Sequence, residues 1–257
     1  CAFASGVEEP VAALRLPVVS YALPALVCVG LSRHAQAPSW FLPARWLRSL
    51  CANRALDLTL AMQPKSGGFL EATPITAFCL IGLKAAGRAE HAVARNAQRF
   101  LESTQREDGS WPVEVNLSIW NTTRAVDALC STAAPGCECS GLKQHTAEGG
   151  CATQDKATKD WLLAQQSKSG HVYTGTRPGG WGWNELDGSV PDADDTSGAI
   201  LALRRMGVAS NHPALQDAAR WLLSLQNRDG GWPTFCRGWQ KLPFDQSAPD
   251  LTAHALR

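Results

Sequence analysis

Three carboxylates stand within four residues, Asp192, Asp194 and Asp195, in the stretch Pro191-Asp192-Ala193-Asp194-Asp195-Thr196. Crowding raises the pKa of at least one such group, and the three would titrate as a coupled set. A carboxylic acid that keeps its proton at neutral pH, shielded from water, can protonate a very weak base. A nearby protonated His would then steady the carboxylate left behind. The competing reading is structural: unpaired N–H groups and the dipole favour carboxylates at a helix start, and the cluster then only caps a helix.

What positions these residues is a repeat. An amphipathic helix ends in Gln, and a Gly-rich turn closed by an aromatic residue follows. The clear copies are Gln105-Arg-Glu-Asp-Gly-Ser-Trp111 and Gln226-Asn-Arg-Asp-Gly-Gly-Trp232. A third, Gln63-Pro-Lys-Ser-Gly-Gly-Phe69, substitutes Phe, and a fourth stretches the turn from Gln166 to Gly179-Gly180-Trp181. After each turn comes a Thr-led helix of small and apolar residues, beginning at Thr76, Thr122, Thr196 and Thr252. Few segments alternate as strands do, so the expected fold is all-α, helix pairs packed side by side. The Thr-led layer is expected to be largely buried, the other to carry the charges. Gln and Trp are expected to staple neighbouring helix ends, the Gln amide bonding a free backbone group and the Trp stacking there. Two residues before each Thr stand Pro74, Trp120, Asp194 and Asp250, so the carboxylates are not generic to the repeat.

Composition narrows the classes of partner. With 257 residues, 45% hydrophobic and 18% charged, the chain can bury a core, which excludes disorder and collagen-like repeats. Lys plus Arg number 24 against 23 Asp plus Glu, which leaves no electrostatic footprint for nucleic acid. Nine cysteines, irregularly placed, do not form a secreted disulfide framework, so a reducing compartment is expected. The most lipid-like stretch, Leu16 to Leu31, contains Pro17 and Pro24 and falls short of the roughly 20 apolar residues a spanning helix needs. The opening CAFASG lacks the basic region of a signal peptide.

The Gln, Gly and Trp repeat between helix pairs resembles the terpenoid cyclases of the squalene-hopene cyclase family. Pro178-Gly-Gly-Trp181-Gly-Trp183, followed by the Asp192 to Thr196 cluster, is similar to that family's Asp-x-Asp-Asp-Thr signature. Pro249-Asp250-Leu251-Thr252-Ala253-His254 is similar to its Asp-x-Thr-Ala-His segment, with Phe235-Cys236 upstream and Trp120-Asn121-Thr122 as weaker matches. The resemblance implies (α/α) barrels, here incomplete and belonging to two domains. Residues 1–114 would be part of the first barrel and 115–257 the first half of the second, catalytic one, with a Cys-rich insertion at about 130–155. The sequence stops at Arg257, a few residues into a Thr-led helix without a capping signal, and is expected to be a fragment.

By the same resemblance the activity would be cyclisation of squalene or a related polyprenoid hydrocarbon, begun by alkene protonation, an isomerase reaction in triterpenoid and hopanoid biosynthesis. Asp194 would be the proton donor, Asp192 and Asp195 its support, and His254 the partner that tunes the acid. Trp120, Trp181, Trp183, Phe235 and Trp239 would offer aromatic faces to migrating positive charge, Trp120 and Trp183 foremost. Cys236 would stand with Phe235 at the substrate entrance, and Asp250 with the substrate-binding set. No metal or organic cofactor is implied. A cytoplasmic protein in peripheral (monotopic) contact with a membrane is implied, and a homodimer is admitted.

The chain also departs from that family. Only Pro233 and Thr234 separate Trp232 from Phe235, where hopene-forming enzymes carry a longer loop with a Tyr, so the substrate and ring number stay open. Asn121 stands where Asp is common. Cys137, Cys139, Cys151 and His145 in the insertion fit no common zinc spacing. Three rivals remain. One is a cyclase of prenyl diphosphates, which would need a basic or magnesium site. Another is a non-catalytic helical-repeat module binding prenyl lipids or proteins. The last is a barrel like the β subunit of protein prenyltransferases, with zinc on Asp250, Cys236 and His254.

Overall fold

The computed structural model describes residues 21–131, 156–171, 174–235, 237 and 243–257. All regular elements among them are helical. The α-helices are α1 (Leu23–Gln36), α2 (Leu42–Met62), α3 (Thr73–Ala85), α4 (Ala92–Thr104), α5 (Ser118–Ser131), α6 (Lys156–Ala164), α7 (Ala193–Arg205), α8 (Pro213–Leu225) and α9 (Pro249–Leu256). Single 3-10 turns lie at Phe69–Glu71 and Pro243–Asp245. Strand-like pairing among the described residues is limited to two isolated antiparallel bridges, Ala72 with Glu114 and Trp232 with Ala248. No helix among them is long and apolar enough to cross a membrane.

Two compact units divide between Val115 and Asn116, with Leu186–Ser189 packing in the first. In the first unit α3 packs on α1 and α4, and α2 on α1 and α4, around Cys28, Leu56, Phe69, Cys79, Leu83 and Ala97. In the second, α7 is central and touches α5, α6, α8 and α9. Its core joins Ile119, Leu162, Trp181, Ala199, Leu203 and Ala218. Helices α5 and α7 approach closely at Gly198, where a Cβ would stand 3.1 Å from Thr123 Oγ1.

The staples act through hydrogen bonds. Gln63, Gln105, Gln166 and Gln226 each donate from Nε2 to the Gly carbonyl of their own turn, at 2.8–3.0 Å. Two of them fork onward: Gln63 reaches the Val93 carbonyl at the start of α4, and Gln166 the Ala214 carbonyl at the start of α8. These two bonds tie α2 to α4 and the end of α6 to α8. The indoles were expected to stack; instead Trp111, Trp181 and Trp232 donate Nε1–H to Leu101, Leu162 and Leu222 carbonyls, satisfying groups near the ends of the preceding helices. At Gly179 the turn runs through φ 117°, and a Cβ would meet the Asp217 carbonyl oxygen at 2.9 Å, so only glycine lets α8 approach. The outer helices α4 and α8 begin on histidines, His91 and His212, whose Nδ1 accepts from the N–H two residues on.

The Thr-led helices are less enclosed than their composition predicts. Phe78 and Ile81 of α3 lie 61% and 63% exposed, on the flank that neither α1 nor α4 covers. Helix α5 leaves Leu129 and Trp120 accessible as well. Packing encloses one stripe of each such helix, marked in α3 by Thr76, Cys79, Leu80 and Leu83.

Glu71 is a buried carboxyl in the first unit. It follows Leu70 in the left-handed region, φ 58° and 54° for the pair, where residues with side chains are rare. Its Oε1 accepts from Ser66 Oγ–H and from Gly188 N–H, while Oε2 is buried without a partner among the described residues. Burial is the main cause that raises its pKa above the usual glutamate value. The folded state therefore holds a proton that the unfolded chain loses earlier, and stability falls as pH rises from the ordinary carboxylate range through the raised value. Glu71→Gln, neutral throughout, is expected to remove this loss. Thermal melts from pH 4 to 8 should show the variant gaining on the parent as pH rises, by about 2–4 °C for each 1 kcal/mol.

Candidate functional site

The site forms where the start of α7 meets α5 and α9. Asp192 is the N-cap of α7, and its carboxylate accepts from Asp195 N–H at 2.8 Å. The preceding turn is fastened to the same place. Asp192 N–H donates to the Trp181 carbonyl, Trp181 N–H donates to Thr196 Oγ1, and Ala193 N–H donates to the Thr234 carbonyl. The Gly-Gly-Trp turn thus fixes the first turn of α7, and the three carboxylates point from a backbone held on several sides.

Their environments differ. Asp192 and Asp195 are each 4% exposed. Burial, then the Asp195 charge, drives Asp192 well above the usual aspartate range, and it shares a side-chain hydrogen bond with Asp195. Burial also pushes Asp195 up to about 6, although its hydrogen bond with Asp192 opposes the rise. A carboxyl-to-carboxylate bond needs one proton, and Asp192 holds it.

Asp194 is the opposite case. Burial would raise its pKa, but hydrogen bonding to His254 and the Arg124 charge outweigh it and set it below the ordinary value. Arg124 Nη2 lies 2.7 Å from Oδ1, His254 Nδ1 contacts the same oxygen, and Trp120 Nε1 donates to Oδ2 at 3.1 Å. Arg124 also lies over the Trp120 ring, 5.6 Å from its centroid, and 3.4 Å from His254 Nδ1. In this arrangement Asp194 is a carboxylate.

An aromatic group borders the cluster's neighbourhood. Trp183 and Phe235 meet edge-on with centroids 5.9 Å apart, and Phe244 lies 5.7 Å from Phe235. The Trp183 carbonyl accepts from Ile119 and Trp120 N–H, which starts α5 and sets the Trp120 indole beside Asp194. Trp181 stands elsewhere: wholly buried and bonded to Leu162, it is part of the frame and offers no face to a substrate. Asp250 is exposed in the first turn of α9 and is not among the groups that touch Asp194. Cys236, Trp239 and most of the Cys130–Cys151 insertion fall outside the described residues.

Arg124 and Phe244 were missed from sequence. Arg124 had a signal, because the third residue of each Thr-led helix reads Phe78, Arg124, Gly198 and His254. Arg124 therefore holds the repeat position of His254. Phe244 had none, since only folding brings it to Phe235.

Residues 117–249 match the squalene-hopene cyclase C-terminal domain, a span of just over half of the chain that includes the acidic cluster. The chain belongs to this family. Its likeness to individual members is distant. A terpene cyclase–glycosyl transferase fusion protein of Humicola fuscoatra is 28% identical over 81% of this chain and 17% of its own length. The squalene-hopene cyclase of Alicyclobacillus acidocaldarius is 26% identical over 79% of this chain and 33% of its own. A drimenyl diphosphate synthase of Streptantibioticus cattleyicolor is 30% identical over 58% of this chain and 26% of its own. The chain thus spans a third or less of these relatives' length.

The Asp192 cap and the Asp192 proton can be separated. Asp192→Asn keeps an acceptor for Asp195 N–H and a donor toward the Asp195 carboxylate, so its urea midpoint should equal the parent's near pH 5 and exceed it as pH rises. Asp192→Ala also loses the cap and should fall about 1 kcal/mol below Asp192→Asn at either pH.

Proposed function

We propose that this chain carries the acid centre of a class II terpene cyclase that protonates the terminal alkene of squalene or a related polyprenoid and guides cationic ring closure. The observation that carries this reading is the meeting of Asp194, His254 and Trp120 beside the buried carboxyl pair of Asp192 and Asp195. Asp194 is the donor to the alkene. It must first take up a proton, and Asp192 with Asp195 is a store of one within the same helix turn. Oδ1 faces two cationic or N–H donors, so the proton on the working acid sits on Oδ2, which keeps a lone pair beyond the one Trp120 occupies. His254 and Arg124 then hold the conjugate base. The indole of Trp120, next to the donor, and the faces of Trp183, Phe235 and Phe244 stabilise positive charge without capturing it as a lone pair would.

The two units then correspond to parts of two (α/α) barrels, with the catalytic one beginning near residue 115. A hydrocarbon substrate must be loaded from a bilayer, which fits a cytoplasmic protein in peripheral membrane contact. In the first unit Trp40, Phe41, Leu42, Trp46 and Leu47 are exposed, Trp40 at 92%, and interleaved with Arg45 and Arg48, a composition suited to a membrane interface.

A second reading, cyclisation of a prenyl diphosphate by the same acid, is favoured by the likeness to drimenyl diphosphate synthase. One assay separates the two. The full-length protein is incubated with squalene and with a panel of prenyl diphosphates, and products are read by mass spectrometry. A cyclic hydrocarbon or alcohol from squalene, reduced by about 100-fold or more in Asp194→Asn, is expected. A cyclic diphosphate transfers the role to the second reading, and no product from a folded parent leaves a binding module.

A further inference from the structure

The arginine beside Asp194 is not required by the repeat. At its position the other Thr-led helices carry Phe78, Gly198 and His254, so a permanent cation appears here alone among the four. It is also well placed: Trp120 and Arg124 are four apart on one face of α5, and both reach Asp194. Guanidinium keeps its charge at any working pH, whereas imidazole does not. The inference that follows rests on the cyclase reading above.

We propose that Arg124 is a positioning residue for the acid: its guanidinium holds the Asp194 carboxylate at rest and takes it back each time the proton leaves for the alkene. In that step the Asp194 O–H bond breaks as a C–H bond forms at one alkene carbon. The π pair supplies the electrons, the other carbon becomes cationic, and the carboxylate returns to Arg124. Loss of a proton from the final cation, or its capture of water with release of a proton, balances the cycle, so no oxidant or reductant takes part.

The consequence is a trade between strength and occupancy. A cation fixed on the conjugate base makes each protonated Asp194 a better donor but leaves fewer of them protonated at a given pH. Other charges around α7 are accounted for. From α5 come Arg124 and Asp127, the latter paired with Arg205 and near Arg257. Helix α9 brings Asp250, His254 and Arg257, and the helix start brings Asp192 and Asp195. Helix α6 brings Lys156, Lys159 and Asp160, and α8 brings Asp217 and Arg220, which pair with each other. Of these, Arg124 and His254 are the ones that touch the Asp194 carboxylate, and Arg124 is the one with a permanent charge.

The test is the pH profile of turnover for the full-length protein, Arg124→Leu and Arg124→Lys, on the substrate that the cyclase assay identifies. Parent activity should rise toward acid pH. Arg124→Leu should move the midpoint of the falling limb upward by about one pH unit or more, with a plateau about ten-fold lower, and Arg124→Lys should restore most of the parent profile. A uniform loss with an unmoved midpoint would show a merely structural role and overturn the proposal. Infrared titration gives a readout that needs no turnover: the carboxylic C=O band assigned by its absence in Asp194→Asn should titrate at higher pH in Arg124→Leu than in the parent. An unmoved band overturns the proposal too. Absence of cyclisation by every form would sink the cyclase reading instead, while the infrared titration would still decide what Arg124 does; if Arg124→Leu fails to fold, Arg124→Gln takes its place in both experiments.

Discussion

Three carboxylates in the first turn of one helix cannot share one electrostatic solution, and the second unit is arranged around that constraint. Asp192 is accommodated by favouring its neutral form while its carboxyl caps α7 through the Asp195 N–H, Asp195 by burial beside Asp192, and Asp194 by a guanidinium, an imidazole and an indole N–H. Each solution demands a different neighbourhood within a few ångströms: a dry one for the first pair, and a polar, partly accessible one for the third. Separate helices supply the difference. The Gly-Gly-Trp turn closes over Asp192, while α5 and α9 face Asp194.

Such precision needs rigid neighbours, and the staples provide them. Their bonds run from side-chain amides and indoles to backbone carbonyls in the turns and near helix ends. Because Gln166 grips both its own turn and the start of α8, the segment leading to the acidic cluster is anchored before and after the residues that matter. The frame and the chemistry occupy different columns of the repeat. Gln, Gly, Trp and Thr build the frame, while the positions two residues to either side of the Thr carry Trp120 and Arg124, Asp194, and His254.

That division explains what was legible in the sequence. The all-helical architecture and the stapling residues could be read because each copies a repeating phrase, whereas the Asp194 and His254 pairing came from the family resemblance. Trp183, too, was singled out by the family resemblance, as the second aromatic of the Gly-Gly motif. Trp181 was harder to sort, since both framing and lining a cavity call for an indole and only its bond to Leu162 decides between them. Arg124 escaped because a charged residue on an amphipathic helix ordinarily faces water. Glu71 escaped for the converse reason: a lone Glu in a turn gives no sign that folding will seal it under Gly188. Burial of polar groups depends on contacts between distant segments, which periodicity does not record.

The close passage of α5 and α7 at Gly198 has a consequence of its own. Trp120 and Arg124 ride on α5 and Asp194 on α7, so the gap between the two helices sets the electrostatic environment of the acid. A single methyl at residue 198 would stand 3.1 Å from Thr123 Oγ1, so the Thr123 side chain or the helix carrying it would have to give by a few tenths of an ångström. The missing side chain thus works as a spacer gauge for the close passage of the helix that carries Trp120 and Arg124 past the one that carries Asp194.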